Sequence, residues 1–365
     1  MNCFLHQPDH TPLKARFPVI DAHNHLWANW AGVDQIVRVM DQVGVVAYCD
    51  LTANLELSWI KGGYAFKAQP FDHFLQHAAN RHPGRFYGFT MGLFAHPMHK
   101  PLFTDPTRFV QDCIDVLRDH VEKGARGLKI LKELGLHYVD ARGKRIFPDD
   151  RRLQPIWREC ARLKIPVLIH QADPYGFFQP VTGDNEHYTT LKKYPSWSFC
   201  DKRFPSFATL QRHYRNLVKQ NPDTTFLLPH VANWPENLKY IADWLDECPN
   251  AFIDFSARCD ELGRQPYTAR DFLIRYQNRV YFGTDMPASA AMYRFHFRFL
   301  ETFDEDIVPP DYDGTFGRYR WRIHGLGLPD GVLKKIYYQN ALKLVPGLRR
   351  DVSQRIKKHT EERTT

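Results

Sequence analysis

Two histidines stand one residue apart in the segment Val19-Ile20-Asp21-Ala22-His23-Asn24-His25 of the 365-residue chain. The apolar residues before them predict a β-strand, and because side chains alternate faces along a strand, His23 and His25 point the same way. Two imidazoles that project side by side from a strand end make half of a transition-metal site. The spacing alone fits two unrelated polar residues equally well. Whether these histidines form a metal site depends on which other side chains the fold places beside them.

Three more residues of metal-binding type stand at the ends of short apolar runs. His170 and His230 each follow such a run, and Asp285 follows another. The carboxyl ends of parallel barrel strands meet at one rim, so these side chains are expected to converge with the first two histidines. A lone histidine in such a place is usually a hydrogen-bonded core residue, and a lone aspartate can cap a helix. Their joint occurrence at independent strand ends favours a metal centre.

The elements that must position these residues form a repeating pattern. Eight short β-like runs recur along the chain, each followed by a stretch with helical spacing. The runs are residues 19–20, 45–48, 86–89, 127–131, 166–169, 225–228, 252–255 and 280–283. Several are almost continuously apolar, as the strands of a buried parallel sheet are. Eight strands alternating with eight helices predict a (β/α)8 TIM barrel, since the Gly-rich phosphate loop typical of many doubly wound sheets follows none of them.

The sequence predicts a single domain with two long loops. Residues 17–348 form the barrel, residues 1–16 an N-terminal extension and residues 349–365 a polar C-terminal tail. The connections after the fifth strand (residues 171–207) and the eighth (residues 286–327) are longer than a barrel needs and rich in aromatic residues. Loops at this end of the strands lie over the active-site face of a barrel. A subunit interface is the alternative, and it fits the second loop at least as well.

Composition and charge exclude several classes of function. The formal net charge is +8, which mildly favours anionic substrates, but the short cluster Lys357-Lys358-His359 fits a solvated helix better than a nucleic-acid arm. The chain has neither a recognisable secretion signal nor an apolar run long enough to span a membrane, and its seven scattered cysteines fit reduced thiols. We therefore expect a cytoplasmic protein that acts on a small molecule and binds neither nucleic acid nor membrane. A homo-oligomer is compatible with the sequence.

Together the motifs resemble a known enzyme family. The segments Asp21-x-His23-x-His25, His170, His230 and Gly283-Thr284-Asp285 are similar to the metal motifs of the amidohydrolase superfamily of metal-dependent hydrolases. The closer likeness is to its amidohydrolase-2 branch, the relatives of 2-amino-3-carboxymuconate-6-semialdehyde decarboxylase, which commonly closes with a helix containing Asn-Ala, as in Asn340-Ala341. The resemblance covers roughly residues 17–348. Relatives often carry glycine two positions after His230, where this chain has Ala232.

The resemblance implies a role for each motif residue. His23, His25, His170 and Asp285 would bind one divalent metal, and His230 would act as acid or base beside the metal-bound water or ligate a second metal. Zinc is the first expectation for this ligand set, and manganese, iron and cobalt are compatible with it. The carboxylate of Asp285 would accept the proton of the water and pass it to the leaving group.

A lysine in the fourth strand bears on the number of metals. Binuclear relatives such as phosphotriesterase carry there a lysine that is carboxylated by carbon dioxide and bridges two ions, and Lys129 stands in that strand. A buried amine could instead hold a substrate carboxylate or form an internal ion pair. Lys132 and Glu133 follow at once, and the sequence leaves open which lysine faces inward. We expect one metal rather than two.

The residues after the seventh and fifth strands are candidates for substrate binding. Arg258 is suited to hold a carboxylate in a bidentate fork, and an ion pair with Asp260 or Glu261 is an equally good explanation of it. The loop after the fifth strand supplies three weaker candidates, which are Asp173, Tyr175 and Glu186.

Three hypotheses for the function follow from these residues. The first is a hydrolase in which metal-activated water attacks an ester, lactone or amide bond of a small, carboxylated substrate. The second is a lyase on the same site, either a non-oxidative decarboxylase or a hydratase. The third is a barrel used only for binding or assembly, and it ranks last because an inactive relative usually loses a ligand and none is missing here.

Overall fold

The structure, a computed structural model, describes residues 9–26, 32–60, 63–309 and 321–361. Its strands are β1 (Val19–Asn24), β2 (Val45–Asp50), β3 (Leu55–Ile60), β4 (Gly63–Ala68), β5 (Phe86–Gly88), β6 (Leu128–Ile130), β7 (Val167–Ile169), β8 (Phe226–Leu228) and β9 (Ala251–Ile253). The longer α-helices are Val33–Val43, Pro106–Lys123, Gln154–Arg162, Phe207–Gln220, Leu238–Glu247, Pro266–Arg275, Ala290–Glu301 and Leu348–Glu361. Short helical segments are Phe71–Phe74, Leu75–Ala79, Gly92–Phe94, Glu133–Leu136, Arg151–Leu153, Tyr175–Phe178, Tyr188–Lys193, Pro195–Trp197, Pro229–Ala232, Cys259–Gly263, Asp330–Lys334, Lys335–Gln339 and Ala341–Leu344.

The parallel strands follow one another in the order of a barrel. The first sheet has the order β1-β2-β5 and the second the order β6-β7-β8-β9, and all of their pairs are parallel. A single parallel bridge between Thr90 and Leu128 joins the two sheets. Seven of the eight runs predicted from the sequence are therefore strands, in the predicted order.

The eighth predicted strand, residues 280–283, is an extended segment and not a full strand. It makes one parallel bridge, from Val280 to Ile253 of β9. On its other side the segment is joined to β1 by backbone hydrogen bonds, from Ala22 to the carbonyl of Phe282 at 3.0 Å and from Thr284 and Asp285 to the carbonyl of His23 at 3.1 and 2.8 Å. The Asp21 carboxylate adds to them, because it accepts from the backbone nitrogen and the hydroxyl of Thr284 at 3.1 and 2.7 Å. These bonds join the end of the circuit to its beginning.

An antiparallel hairpin follows β2 and was not predicted. β3 and β4 pair from Leu55 with Ala68 through to the tip of the hairpin. Leu55 and Leu57 are buried, whereas Glu56 between them is exposed. This alternation is the pattern of a strand with one buried face, so the signal was present in the sequence.

The C-terminal residues pack against the barrel. The helix Leu348–Glu361 buries Leu348 and Val352 in the same apolar cluster as Ile20 of β1 and Ala47 of β2. The segment predicted as a polar tail is therefore helical through residue 361, with one apolar face against the strands.

Two expectations from composition concern cysteines and membranes. Six of the seven cysteines lie in the described residues, all six are free thiols, and of these Cys200 alone is exposed. Within the same part of the chain, no helix is both long and apolar enough to cross a membrane.

The long loop after the eighth segment contains a helix. Ala290–Glu301 presents Tyr293 to the barrel, and the Tyr293 hydroxyl donates to Asp21 at 2.8 Å. Tyr312 and Phe316, which the sequence also puts in this loop, lie outside the described residues. The helix supports β1 from outside, so part of this loop stabilises the strand that carries His23.

A glycine at the end of the eighth segment allows β1 to approach closely. A Cβ atom at Gly283 would lie 2.5 Å from the Cβ of His23, closer than two carbon atoms can pack. We expect Gly283→Ala to lower the free energy of unfolding by about 1–3 kcal/mol, because β1 must shift to make room. Urea denaturation measures the change. Gly331→Ala is the matched control, since nothing lies within 4 Å of its Cβ position. Equal midpoints for Gly283→Ala and wild type would contradict the close approach.

Candidate metal centre

Three imidazole nitrogens approach one carboxylate at the rim of the barrel. The Asp285 carboxylate lies 3.3 Å from Nε2 of His25, 3.6 Å from Nε2 of His230 and 3.8 Å from Nε2 of His23. The imidazoles are buried, whereas the side chain of Asp285 is 21% exposed. Ligand atoms of His23, His230 and Asp285 all lie within 4.8 Å of one another. Histidine and carboxylate ligands that converge in this way suit a divalent transition metal.

Two of these nitrogens, Nε2 of His23 and Nε2 of His230, are buried without a hydrogen-bond partner among the described residues. On the other side of each ring, Nδ1 of His23 donates to the Asp254 carboxylate at 2.7 Å, and Nδ1 of His230 donates to the backbone carbonyl of Ser256 at 2.8 Å. A neutral imidazole that donates from Nδ1 keeps a lone pair on Nε2. These residues therefore fit the divalent metal that the motifs imply.

Asp254 is a candidate site residue that the sequence analysis did not identify. It follows β9, is fully buried, and accepts from Nδ1 of His23, from the backbone nitrogen of His230 at 2.9 Å and from the Ser256 hydroxyl at 2.6 Å. Burial raises the pKa of this carboxyl, but the neighbouring His23 outweighs burial and holds the pKa below its usual range. An aspartate inside the apolar run 252–255 was the available signal, because a buried carboxylate needs partners.

Burial also sets the protonation of the groups around Asp285. It lowers the pKa of His25 to about 4 and lowers the pKa of His230 well below its ordinary value. Burial raises the pKa of Asp285, but its contacts with His23 and His25 outweigh burial, so the pKa lies below its usual range. Neutral imidazole and ionised carboxylate are the forms that ligate a metal.

His170, a sequence-predicted ligand, is directed elsewhere in the structure. Its Nε2 lies 2.9 Å from the carbonyl oxygen of Ala172 and 3.5 Å from the Asp173 carboxylate. Its ring centre is 4.5 Å from that of His230, so it borders the cluster. The carbonyl in the short turn after β7 hydrogen-bonds this nitrogen, and the role of His170 as a metal ligand stays a prediction.

Lys129 is completely buried within the barrel, whereas Lys132 lies on the wall of the cavity beside Asp285. The Nζ of Lys129 has no hydrogen-bond partner among the described residues, and burial lowers the pKa of Lys129 to about 8. Lys132 instead forms an ion pair with Asp173 and lies 5.4 Å from the ring centre of Phe199. The two roles considered for Lys129, a bridging carbamate and a substrate-binding cation, stay predictions.

A cavity of about 140 Å³ borders Asp285. Its walls are largely apolar, with Leu57, Leu131, Phe177, Trp197 and Met286 among them, and its cations are Arg258 and Lys132. Of the predicted substrate contacts, Arg258 and Asp173 lie on the described lining, and Tyr175 and Glu186 do not. Tyr175 packs on the rings of Phe207 and Trp234, and Glu186 pairs with Arg264 at 2.6 Å.

Arg258 borders the cavity together with Glu261, one of the acidic residues that follow it. Its guanidinium donates to the carbonyl oxygen of Ala257 at 2.6 Å, and its buried Nε has no hydrogen-bond partner in the described part of the chain. The positive charge of Arg258 opposes the rise that burial causes in the pKa of Glu261. The ion pair and the anion-binding role considered for Arg258 both stay predictions.

Comparison with known proteins decides the family. A family model described as amidohydrolase matches residues 20–347 of this chain. The chain belongs to the amidohydrolase family. This confirms the resemblance drawn from the metal motifs. None of the curated proteins in the comparison matches the chain.

Solved structures share the fold of this amidohydrolase. 2,6-Dihydroxybenzoate decarboxylase from Rhizobium is 14% identical with a TM-score of 0.54, and the match covers 92% of this chain and 99% of that one. An uncharacterised TIM-barrel protein from Bordetella bronchiseptica is 14% identical with a TM-score of 0.53, over 90% of this chain and 98% of that one. At such identities the likeness concerns the fold, and it confirms the predicted TIM barrel.

One backbone feature of this amidohydrolase bears on the missing glycine after His230. Residues 230–233 all have positive φ, from 50° to 66°, and none of them is glycine. Such residues cost roughly 1–3 kcal/mol each unless the surroundings hold them. Here Gln211 donates to the carbonyl of Ala232 at 3.1 Å, and the Asn233 side chain accepts from the backbone nitrogens of Gln171 and Ala172, both at 3.1 Å. These bonds fix the turn that carries His230.

Proposed function

We propose that this amidohydrolase is a metal-dependent hydrolase that cleaves an ester, lactone or amide bond of a small carboxylated substrate. The observation that carries the proposal is the convergence of buried imidazole nitrogens on the Asp285 carboxylate. His23, His25 and Asp285 would hold the ion, with His230 or His170 completing the set. A divalent ion, for which zinc is the first candidate, supplies Lewis acidity toward water and a substrate carbonyl.

Asp285 has the features of the proton acceptor. Its carboxylate is ionised and partly exposed to the cavity, so it can take a proton from an attacking water. The same carboxyl can then deliver that proton to the leaving oxygen or nitrogen. His230, with its Nε2 beside the same carboxylate, is a second group that can orient the water.

The cavity supports a substrate with an anionic end and an apolar body. Arg258 borders it, the buried Nε of Arg258 has no hydrogen-bond partner among the described residues, and a guanidinium binds carboxylate through two parallel hydrogen bonds. The surrounding side chains offer apolar contact and few hydrogen bonds to a substrate. They include Leu57, Phe177 and Trp197.

We expect Arg258→Ala to raise KM for the carboxylated substrate by about 10- to 100-fold, the effect of losing charge-assisted hydrogen bonds. Arg258→Lys is expected to recover only part of this loss, because an ammonium cannot form the bidentate fork. Steady-state kinetics with the substrate and with its uncharged methyl ester measure the effect. KM for the uncharged ester should change little in either variant. Arg264→Lys is the control, since Arg264 is paired with Glu186. An equal loss with the acid and the ester would contradict the anion-binding role.

A decarboxylase on the same site is the second candidate. An apolar cavity that holds a carboxylate also suits loss of carbon dioxide, since the carboxylate is desolvated there. The similar structure from Rhizobium is a decarboxylase, which is a further reason to test this reaction.

The product distinguishes the two reactions. Protein loaded with Zn²⁺ or Mn²⁺ is incubated with a panel of carboxylated esters, lactones, amides and unsaturated acids in H₂¹⁸O, and mass spectrometry identifies the products. Hydrolysis places ¹⁸O in the newly formed carboxylic acid and breaks no carbon–carbon bond. Release of carbon dioxide without ¹⁸O-labelled acid would overturn hydrolysis in favour of decarboxylation.

A further inference from the structure

A second group of metal-ligating side chains shares no residue with the group around Asp285. Glu186, His187 and Glu236 each bring one ligand atom to within 4.8 Å of the others. The carboxylate of Glu261 is 4.0 Å from Nε2 of His187. None of these four residues has a part in the proposed hydrolysis. We call them the loop cluster.

Three atoms of the loop cluster are buried without a hydrogen-bond partner among the described residues. They are Nε2 of His187, Oε2 of Glu236 and Oε2 of Glu261. His187 is only 4% exposed and Glu261 only 2%. Buried polar atoms are almost always satisfied, so three unsatisfied atoms in one cluster indicate a ligand that binds there.

The local backbone is built to hold His187 in this position. The Asn185 side chain donates to the carbonyl oxygens of Gly176 and Pro180 at 2.8 and 3.1 Å and accepts from the backbone nitrogen of His187 at 2.9 Å. A Cβ atom at Gly176 would lie 2.6 Å from Cδ2 of His187, so the ring fills space that only glycine leaves. On the facing loop, Oε1 of Glu236 accepts from the backbone nitrogen of Tyr175 at 3.1 Å, which leaves Oε2 for another partner.

The charges of the loop cluster favour a cation. Three carboxylates, those of Glu186, Glu236 and Glu261, face two guanidiniums, those of Arg258 and Arg264. Burial, and to a smaller extent the proximity of Glu261, raise the pKa of Glu236 to about 7. Glu186 is bound by Arg264 through both oxygens, but each carboxylate oxygen has a second lone pair.

We propose that Glu186, His187 and Glu236 bind a first-row divalent metal ion, separate from the ion at Asp285, with Glu261 contributing charge. One imidazole and two carboxylates are a ligand set that manganese and zinc accept. The ion would tie the loop after β7 to the segment after β8. Since His187 and Glu261 border the cavity, it would fix the shape of the wall that faces the substrate.

Metal stoichiometry tests this proposal without reference to activity. Protein stripped with a chelator and dialysed against Mn²⁺ is analysed by mass spectrometry for bound manganese. Wild type is expected to hold about two ions per chain, and the double variant His187→Gln/Glu236→Gln about one. His23→Ala is also expected to hold about one ion. The triple variant, which combines His23→Ala with His187→Gln and Glu236→Gln, is expected to hold about none. Glu159→Gln, which alters a buried glutamate outside both sites, should match wild type.

Thermal unfolding in the His23→Ala background separates loss of binding from loss of fold. Mn²⁺ should raise Tm in this background only while the loop cluster is intact, because a ligand stabilises the state that binds it. If the double variant binds as much manganese as wild type, or if Mn²⁺ still raises Tm in the triple variant, the proposal is overturned. If His23→Ala retains two ions while the double variant loses one, the centre at Asp285 fails and the loop-cluster site stands.

Discussion

Replacing Asp285 by asparagine is expected to lower kcat/KM by about 10³-fold, which is the usual contribution of a general base. Asparagine keeps the size of the side chain but loses its charge and its ability to accept a proton. Its amide N–H would also face the imidazole nitrogens that now lie 3.3–3.8 Å from the carboxylate. Steady-state kinetics at saturating metal, with the substrate found in the product screen, measure the loss.

The fold of this variant should be unchanged. The Asp285 carboxylate is partly exposed at the rim, and asparagine keeps the backbone hydrogen bond of this residue to the carbonyl of His23, so circular dichroism and the midpoint of urea unfolding should match wild type. Asp304→Asn is the matched control, because Asp304 is a buried carboxylate paired with Arg298 at a distance from the cavity. An Asp285→Asn enzyme with activity within tenfold of the control would contradict its role as base.

Asp254→Asn is expected to weaken metal binding at His23 by about 10- to 100-fold, the usual effect of losing the partner of a metal-ligating histidine. The carboxylate now requires a proton on Nδ1 of His23 at 2.7 Å. The Oδ1 atom accepts from His230 and Ser256, so in the variant the amide nitrogen would take the position that faces His23. It would donate to Nδ1, move the ring proton to Nε2 and remove the lone pair that ligates.

Competition with a chromophoric chelator measures this affinity, and kcat at saturating metal is the second reading. Affinity should fall more than kcat, because excess metal refills the site. Glu159→Gln offers a comparison, since Glu159 is also a buried carboxylate but pairs with Arg118 and Arg162. Unchanged metal affinity in Asp254→Asn would contradict the inferred tautomer of His23.

The barrel could be predicted because its strands are short, apolar and buried on both faces. Continuously apolar runs such as 167–169 and 226–228 are typical of strands buried on both faces. The order of the parallel strands follows from their alternation with helices. The eighth segment was less predictable, because it joins β1 through a few backbone hydrogen bonds and the Asp21 carboxylate and not through a full strand pairing. The β3–β4 hairpin was missed although Leu55 and Leu57 alternate with polar residues.

The site was predictable only in part. The strand ends identify which residues meet at the rim, but the direction of a side chain depends on partners from distant segments. His170 turns to the carbonyl of Ala172, two residues on, and Lys129 rather than Lys132 is completely buried within the barrel. Asp254 depends on a contact with His23, 231 residues away, which no local pattern encodes. The loop cluster likewise joins segments that are distant in sequence.

Anomalous diffraction from crystals of the protein grown with Mn²⁺ tests the central claim most directly. The claim predicts an anomalous peak at the rim, about 2.0–2.2 Å from Nε2 of His23 and from the Asp285 carboxylate. A peak at the loop cluster would be a separate finding. Fully occupied manganese elsewhere, with none between His23 and Asp285, would contradict the claim that these residues form the catalytic metal centre.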